Sequence, residues 1–285
     1  MDVVEEEVIS KIVHKSAALR LINHPRNGRI KNTKGAYYWL DRANKWRPLS
    51  GVLPRLDSVY WSKASYFEAQ RLKRQKEQRL RAGTLKKKRQ KRSASLDATE
   101  PEQSHGHGRH YGTIRGTEVH RQLQDFIELD PKNYLKKHRN STQSFMKRIM
   151  TYILRYTDWE PLRAEFDVFD ETLRIGTSID MVCVNREGRL IFIEIKTGYR
   201  NYFDDHSGYM AHSLSKLTDS PRHQAYIQLM TACMFVVRNH GIPVSRMALY
   251  VLRVDEDDVY PYPIDNDYFE RKMPLIYQDL LTVGK

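Results

Sequence analysis

Residues 176–198 read GTSIDMVCVNREGRLIFIEIKTG, and they constrain the architecture more than any other part of the chain. Two extended runs, 179–184 and 189–196, are separated by Asn185-Arg186-Glu187-Gly188, a cluster of turn-forming residues. The second run, RLIFIEIK, is apolar on both faces, with Leu190 and Phe192 on one and Ile191, Ile193 and Ile195 on the other. Such a strand belongs in the middle of a sheet that is covered on both sides. Its end breaks the pattern: Glu194 and Lys196 are two residues apart and so share a face. Burying either charge is costly unless it is paired or binds an ion. Asp180 lies on the preceding run, where an antiparallel hairpin can set its carboxylate beside Glu194. Two adjacent carboxylates repel and hold protons unless a cation lies with them. Mg²⁺ or Mn²⁺ would make them ordinary oxygen ligands. The alternative reading of the same charges is a buried Glu194–Lys196 ion pair with Asp180 in a turn.

The flanking sequence supplies the rest of an α/β (α+β) fold, a central mixed β-sheet flanked by helices. Further strands are expected at 163–169, 173–175 and 246–253. Helices are expected at 116–127, with Val119, Leu123, Phe126 and Ile127 on one face, at 142–157, at 221–238 and at 266–281. Within the apolar helix 221–238, Gln224, Gln228 and Thr231 form a polar stripe that must face polar partners. Cys183 and Cys233 sit in apolar surroundings and read as reduced core residues.

The chain has 285 residues, 40% of them hydrophobic, enough for one sizeable core with an extension. No run approaches the roughly 18 apolar residues of a membrane span, and no signal peptide is evident. The net charge is +13, but residues 71–92 hold 12 Lys/Arg and one Glu, which is +11 and leaves 13 − 11 = +2 for the remainder. This run, including Lys86, Lys87, Lys88, Arg89, Lys91 and Arg92, favours a polyanion such as DNA through counterion release. A solvated helix, a disordered arm or a nuclear-localisation signal would share its composition. Three segments follow: 1–70, a helical, aromatic-rich N-terminal extension; 71–110, a basic arm and flexible linker; and 111–285, the core. A charged helix is expected over 62–82. The aromatics of 35–67, among them Tyr37, Tyr38, Trp39, Trp46, Tyr60 and Trp61, are expected to pack on the core, with stacking on bases as the alternative. Asp255-Glu256-Asp257-Asp258 lacks the pattern of a calcium loop and reads as a solvated turn. No GxxxxGK[ST], GxSxG or CxxC is present.

Asp180 followed by Glu194-Ile195-Lys196 at the end of an apolar strand resembles the PD-(D/E)xK nuclease superfamily. RGTEVHRQL (Arg115–Leu123) is similar to the G-x-x-x-H helix of RecB-like nucleases. WEPLRAEFDVFDETLRIGTSID resembles the stretch in which a Glu precedes the metal-binding Asp, and RHQAYIQLM resembles the family's Gln-bearing helix. The overall layout is similar to RecB-like, lambda-exonuclease-like and mitochondrial genome maintenance exonucleases, over about Tyr111–Asp255. The resemblance implies a restriction-endonuclease-like core in which His120, Asp180, Glu194 and the Ile195 carbonyl hold Mg²⁺ or Mn²⁺. Glu165 would be a further metal ligand, and Lys196 would orient or deprotonate the attacking water. Gln224 would be the family's glutamine. Two departures stand out. Gln228 occupies the position where the family often has Tyr, and the proline of the family's name is absent before Asp180, where Ser178-Ile179 stand.

The expectation is therefore a metal-dependent DNA nuclease, an exonuclease acting in recombination, repair or replication. It would be intracellular, nuclear or virus-encoded, and would work with DNA and a recombination or replication partner. Exonuclease action is favoured because the basic run supplies backbone affinity while no base-reading module is seen. A structure-specific or restriction-type endonuclease, and a non-catalytic DNA-binding protein that uses 71–92, are the alternatives.

Overall fold

The computed structural model describes residues 14–23, 30–33, 36–40, 43–61, 108–129, 131–138, 144–197, 203, 208–255 and 257–283. The charged helix expected at 62–82, the basic residues Lys86 to Arg92 and positions 93–107 of the expected linker lie outside them.

The described chain is a mixed α/β structure built on one eight-stranded sheet. Its strands are β1 (Ile30–Thr33), β2 (Ala36–Leu40), β3 (Trp46–Gly51), β4 (Glu160–Asp170), β5 (Ile175–Val184), β6 (Leu190–Thr197), β7 (Met247–Val254) and β8 (Val259–Ile264). Helices are α1 (14–22), α2 (Val52–Val59), α3 (Gly108–Glu128), α4 (Pro131–His138), α5 (Ser144–Tyr156), α6 (Pro221–His240) and α7 (Asn266–Val283). No helix among the described residues is long and apolar enough to cross a membrane.

β5 and β6 form the expected hairpin, and β6 pairs in parallel with β7, so β6 is central. The alternate residues of β6 feed two cores. Leu190 and Phe192 join the larger cluster, with α6 and α7, while Ile191, Ile193 and Ile195 join the smaller one, with α3 and α5. α6 is buried nearly all round, begins at a Ser220 cap followed by Pro221, and ends at Gly241 with φ +66, where glycine is the residue with least strain. Cys183 and Cys233 are both buried and free.

Several elements differ from the sequence expectation. The N-terminal segment is not only helical, because β1, β2 and β3 extend the sheet and β3 pairs in parallel with the start of β5. The strand expected at 179–184 starts earlier, at Ile175, while Leu173 and Arg174 of the stretch expected at 173–175 lie in the turn before it. Gly176 is there for close approach: a Cβ would lie 3.0 Å from the Tyr37 Cβ. α3 starts at Gly108, inside the expected linker and ahead of the apolar stripe that signalled it. β8 was hidden by Pro261 and Pro263. It is an edge strand, where an imino nitrogen that cannot donate is tolerated. Asp255 is buried rather than solvated, accepting from the backbone of Asp257 and Asp258 and pairing with Arg253.

Candidate metal centre

The site lies where the sheet forks. β4 occupies one edge of β5 from Ile175 to Val184. The opposite edge is shared: β3 pairs with Ile175 and Gly176, and β6 pairs only from Met181 to Val184. Between them, residues 177–180 face a gap in the ladder. The next pair in register after Met181↔Ile193 would be Asp180 opposite Glu194. Instead the strands part, and the Asp180 carboxylate takes the place of a backbone acceptor: the Ile195 N–H donates to Asp180 Oδ2 at 2.6 Å. A strand residue's N–H and C=O point to the same edge, so the Ile195 carbonyl also faces the fork.

The strands change face at this point. Ile179 packs in the larger cluster and Met181 in the smaller, although a regular strand would send both to one side. Opposite Asp180 in the β4 register stands Glu165, with φ +47, a left-handed conformation that is costly for a side chain with a Cβ. Irregularities of this kind re-aim side chains and concentrate at functional sites. The result is that both covering layers reach one spot. His120 comes from α3 on the smaller-core side, and Gln228 from α6 on the larger-core side.

The contacts are short. His120 Nδ1 lies 2.7 Å from Glu165 Oε1 and 3.5 Å from Asp180 Oδ1. His120, Glu165 and Asp180 each offer one ligand atom, and these atoms all lie within 4.8 Å of one another. Asp180 and Glu194 are only 5% and 2% exposed. Glu194 accepts from Lys196 Nζ at 2.6 Å, and Lys196 also donates to the Gln228 side-chain carbonyl at 3.2 Å. Ser178 donates to the second oxygen of Glu165 at 3.1 Å, and Tyr37 of β2 donates to Ser178 at 3.3 Å. The N-terminal strands therefore buttress Glu165.

The charges are out of balance. The negative field of Asp180 pushes the His120 imidazole up to about 9, against the effect of its burial, and Glu165 and Glu194 add to the rise. Burial, then the neighbouring Glu194, holds Asp180 well above the usual carboxylate range, with His120 and Lys196 opposing. Three carboxylates (Glu165, Asp180, Glu194) stand against the Lys196 ammonium and a protonated His120, a formal −1, and an ion bound through His120 would displace its proton and meet a formal −2. A divalent cation would cancel it. Carboxylate oxygens, a backbone carbonyl and one imidazole suit Mg²⁺ or Mn²⁺. The residues present thus fit such an ion.

His120, Glu165, Asp180 and the Ile195 backbone meet at the fork; Glu194, expected as a further ligand, lies beside them on β6 with its carboxylate engaged by Lys196, outside the group of three. The glutamine expected here, Gln224, turns elsewhere and donates to Asp219, a buried carboxylate just before α6. Gln228, one turn further along the same polar stripe, meets Lys196 instead. Ser178 and Tyr37 were not singled out from sequence. Ser178 carried a faint signal, as a polar residue two before Asp180 on a strand, whereas Tyr37 stood out only as one of the aromatics of 35–67.

No family model matches the chain, and no curated protein matches it. Among solved structures it is similar to one described as "Crystal structure of SSO0001", at 13% identity over 61% of this chain and 88% of that one, with a TM-score of 0.23. So low a score carries no argument about fold or function.

Proposed function

We propose that the protein is a divalent-metal-dependent deoxyribonuclease, an exonuclease that hydrolyses phosphodiester bonds at DNA ends in recombination, repair or replication. The observation that carries this reading is the convergence of His120, Glu165 and Asp180 at the fork, with the Lys196–Glu194 pair on the adjoining strand. Their resemblance to the D…ExK and G-x-x-x-H motifs supports it. His120, Glu165, Asp180 and the Ile195 carbonyl would hold the ion. When bound, Mg²⁺ or Mn²⁺ lowers the pKa of water and offsets charge on the phosphoryl oxygens.

The remaining work belongs to the side chains. Lys196, fixed by Glu194 and Gln228, sets a positive charge beside the attacked phosphate, where negative charge grows in the transition state. It also orients the attacking water. Glu194, 2.6 Å from that ammonium, takes one of its protons as the lysine nitrogen takes one from the water, so the charge on Lys196 is kept. The water oxygen bonds to phosphorus as the bond to the bridging sugar oxygen breaks, and the leaving oxygen takes a proton from solvent water to become the sugar hydroxyl. Ser178 and Tyr37 hold Glu165 against its backbone strain, so the acidic cluster is ordered before substrate arrives.

The test is incubation of labelled linear and covalently closed circular DNA with Mn²⁺, Mg²⁺ or EDTA. Linear DNA is expected to be degraded with either metal and not with EDTA, and the closed circle is expected to survive. A cut circle would select the endonuclease alternative. No cleavage of any DNA with either metal would overturn the enzymatic reading.

A further inference from the structure

The ribbon of β1, β2 and β3 has no core of its own. Its strands hold 4, 5 and 6 residues, and of these fifteen only Leu49 is buried. One face packs on the sheet through Tyr37 and Leu49, which close on Gly176, so the aromatic rings left accessible on the other call for another explanation. By register, Lys31, Tyr38, Leu40 and Trp46 share one face, and Tyr37, Trp39 and Arg47 share the other. Trp46 is 39% exposed. The Lys31 ammonium stands 4.1 Å from the Trp46 ring centroid and 5.7 Å from that of Tyr38. Cation–π attraction of this kind holds a lysine head in place over aromatic surface.

Charge singles out the same ribbon. Residues 24–47 contain seven Lys/Arg and one Asp, a net 7 − 1 = +6. The chain outside 71–92 carries only +2, so everything beyond these two segments sums to 2 − 6 = −4. Of the seven, Lys31, Lys45 and Arg47 lie among the described residues, with no acidic residue on the described strands and turn of the ribbon. The ribbon is also continuous with the fork, through Tyr37, Ser178 and Glu165. Leu40, opposite Trp46, is three residues from Tyr37 on β2, about 10 Å along the strand.

A polyanion whose repeating units carry flat rings is a nucleic acid. In a duplex those rings are stacked on one another, so aromatic side chains can take them only where bases are unpaired. We propose that the β1–β3 ribbon binds an unpaired nucleic-acid strand. Trp46 and Tyr38 stack on bases, Lys31, Lys45 and Arg47 meet phosphates, and the strand is delivered to the fork. The delivery rests on the nuclease reading, whereas the binding does not.

The test uses the full chain in EDTA, with fluorescence anisotropy of end-labelled oligothymidylate and of a blunt duplex of equal length. Trp46→Ala is expected to weaken oligothymidylate binding by about 5-fold to 150-fold, the effect of one lost base–aromatic stack. Duplex binding is expected to stay at the wild-type level, and Trp46→Phe to recover much of the loss. Lys31→Gln, on the exposed face, is expected to weaken oligothymidylate in the same sense. Unchanged oligothymidylate binding in both Trp46→Ala and Lys31→Gln would overturn the proposal, and so would an equal loss for the duplex. Competition by polyglutamate as strong as by oligothymidylate would overturn it too, since that would make the ribbon a general acidic-partner site. In parallel, Mn²⁺-dependent hydrolysis of bis-para-nitrophenyl phosphate is expected to be the same in wild type and Trp46→Ala. Absence of that hydrolysis in the wild type would remove the nuclease reading and leave the anisotropy result to judge the ribbon.

Discussion

Lys196 has two tasks that pull against each other. It neutralises Glu194, which is almost wholly buried, and in the proposed reaction it serves the phosphate. Truncating it to alanine would strand a buried carboxylate, which costs about 3–5 kcal/mol when a buried pair is broken. Lys196→Gln keeps hydrogen bonding and removes the charge, and so separates the tasks. We expect DNA hydrolysis to fall about 100-fold to 1,000-fold, the usual cost of losing one preorganised electrostatic partner. Mn²⁺ affinity, measured by isothermal titration calorimetry, should not fall, because Lys196 is not a ligand. Full activity in a folded Lys196→Gln protein would contradict the role. At this scale the sequence was legible where chemistry and strand period agreed. Asp180, Glu194 and Lys196 announced themselves as charges on an apolar hairpin, whereas His120 came only through the resemblance of its helix to the G-x-x-x-H motif. Gln224 and Gln228 lie one turn apart on one stripe, and nothing in their spacing says which of them meets Lys196.

Elements show why the rest was hidden. β1–β3 carry apolar or aromatic residues on both faces, with Lys31 on one and Arg47 on the other, so no alternation marked them as strands and only an aromatic and basic texture was visible. β8 carries prolines that argue against a central strand and fit an edge. The fork has no local signature, because it arises from β3 and β6 sharing one edge of β5. α2 carries a pH-sensitive feature of its own. Asp57 is partly buried, its Oδ1 meets no hydrogen-bond donor among the described residues, and burial followed by the nearby Asp219 pushes it up to about 7. A carboxyl raised in the folded state binds its proton more tightly there than in the unfolded chain. Its contribution is fully present below the ordinary carboxylate range and is lost as pH rises through about 7. The melting temperature of Asp57→Asn relative to wild type should therefore rise between pH 4 and pH 8, as differential scanning fluorimetry can follow. A constant difference across that range would show that Asp57 does not titrate as described.

Across the whole molecule, the two cores and the fork form one design. The central strands are covered on both faces, and where β5 and β6 part the layers from both sides contribute side chains. The acidic excess at that point, Glu165, Asp180 and Glu194 against Lys196 and His120, is what a divalent ion would offset in the proposed reading. The account therefore stands or falls on the ion. Anomalous scattering from crystals soaked in Mn²⁺ tests this most directly. The account predicts a peak among His120 Nδ1, Glu165, Asp180 and the Ile195 carbonyl, absent from Asp180→Asn crystals. A wild-type map without density there, or with the imidazole and the carboxylates turned away from a common point, would contradict it.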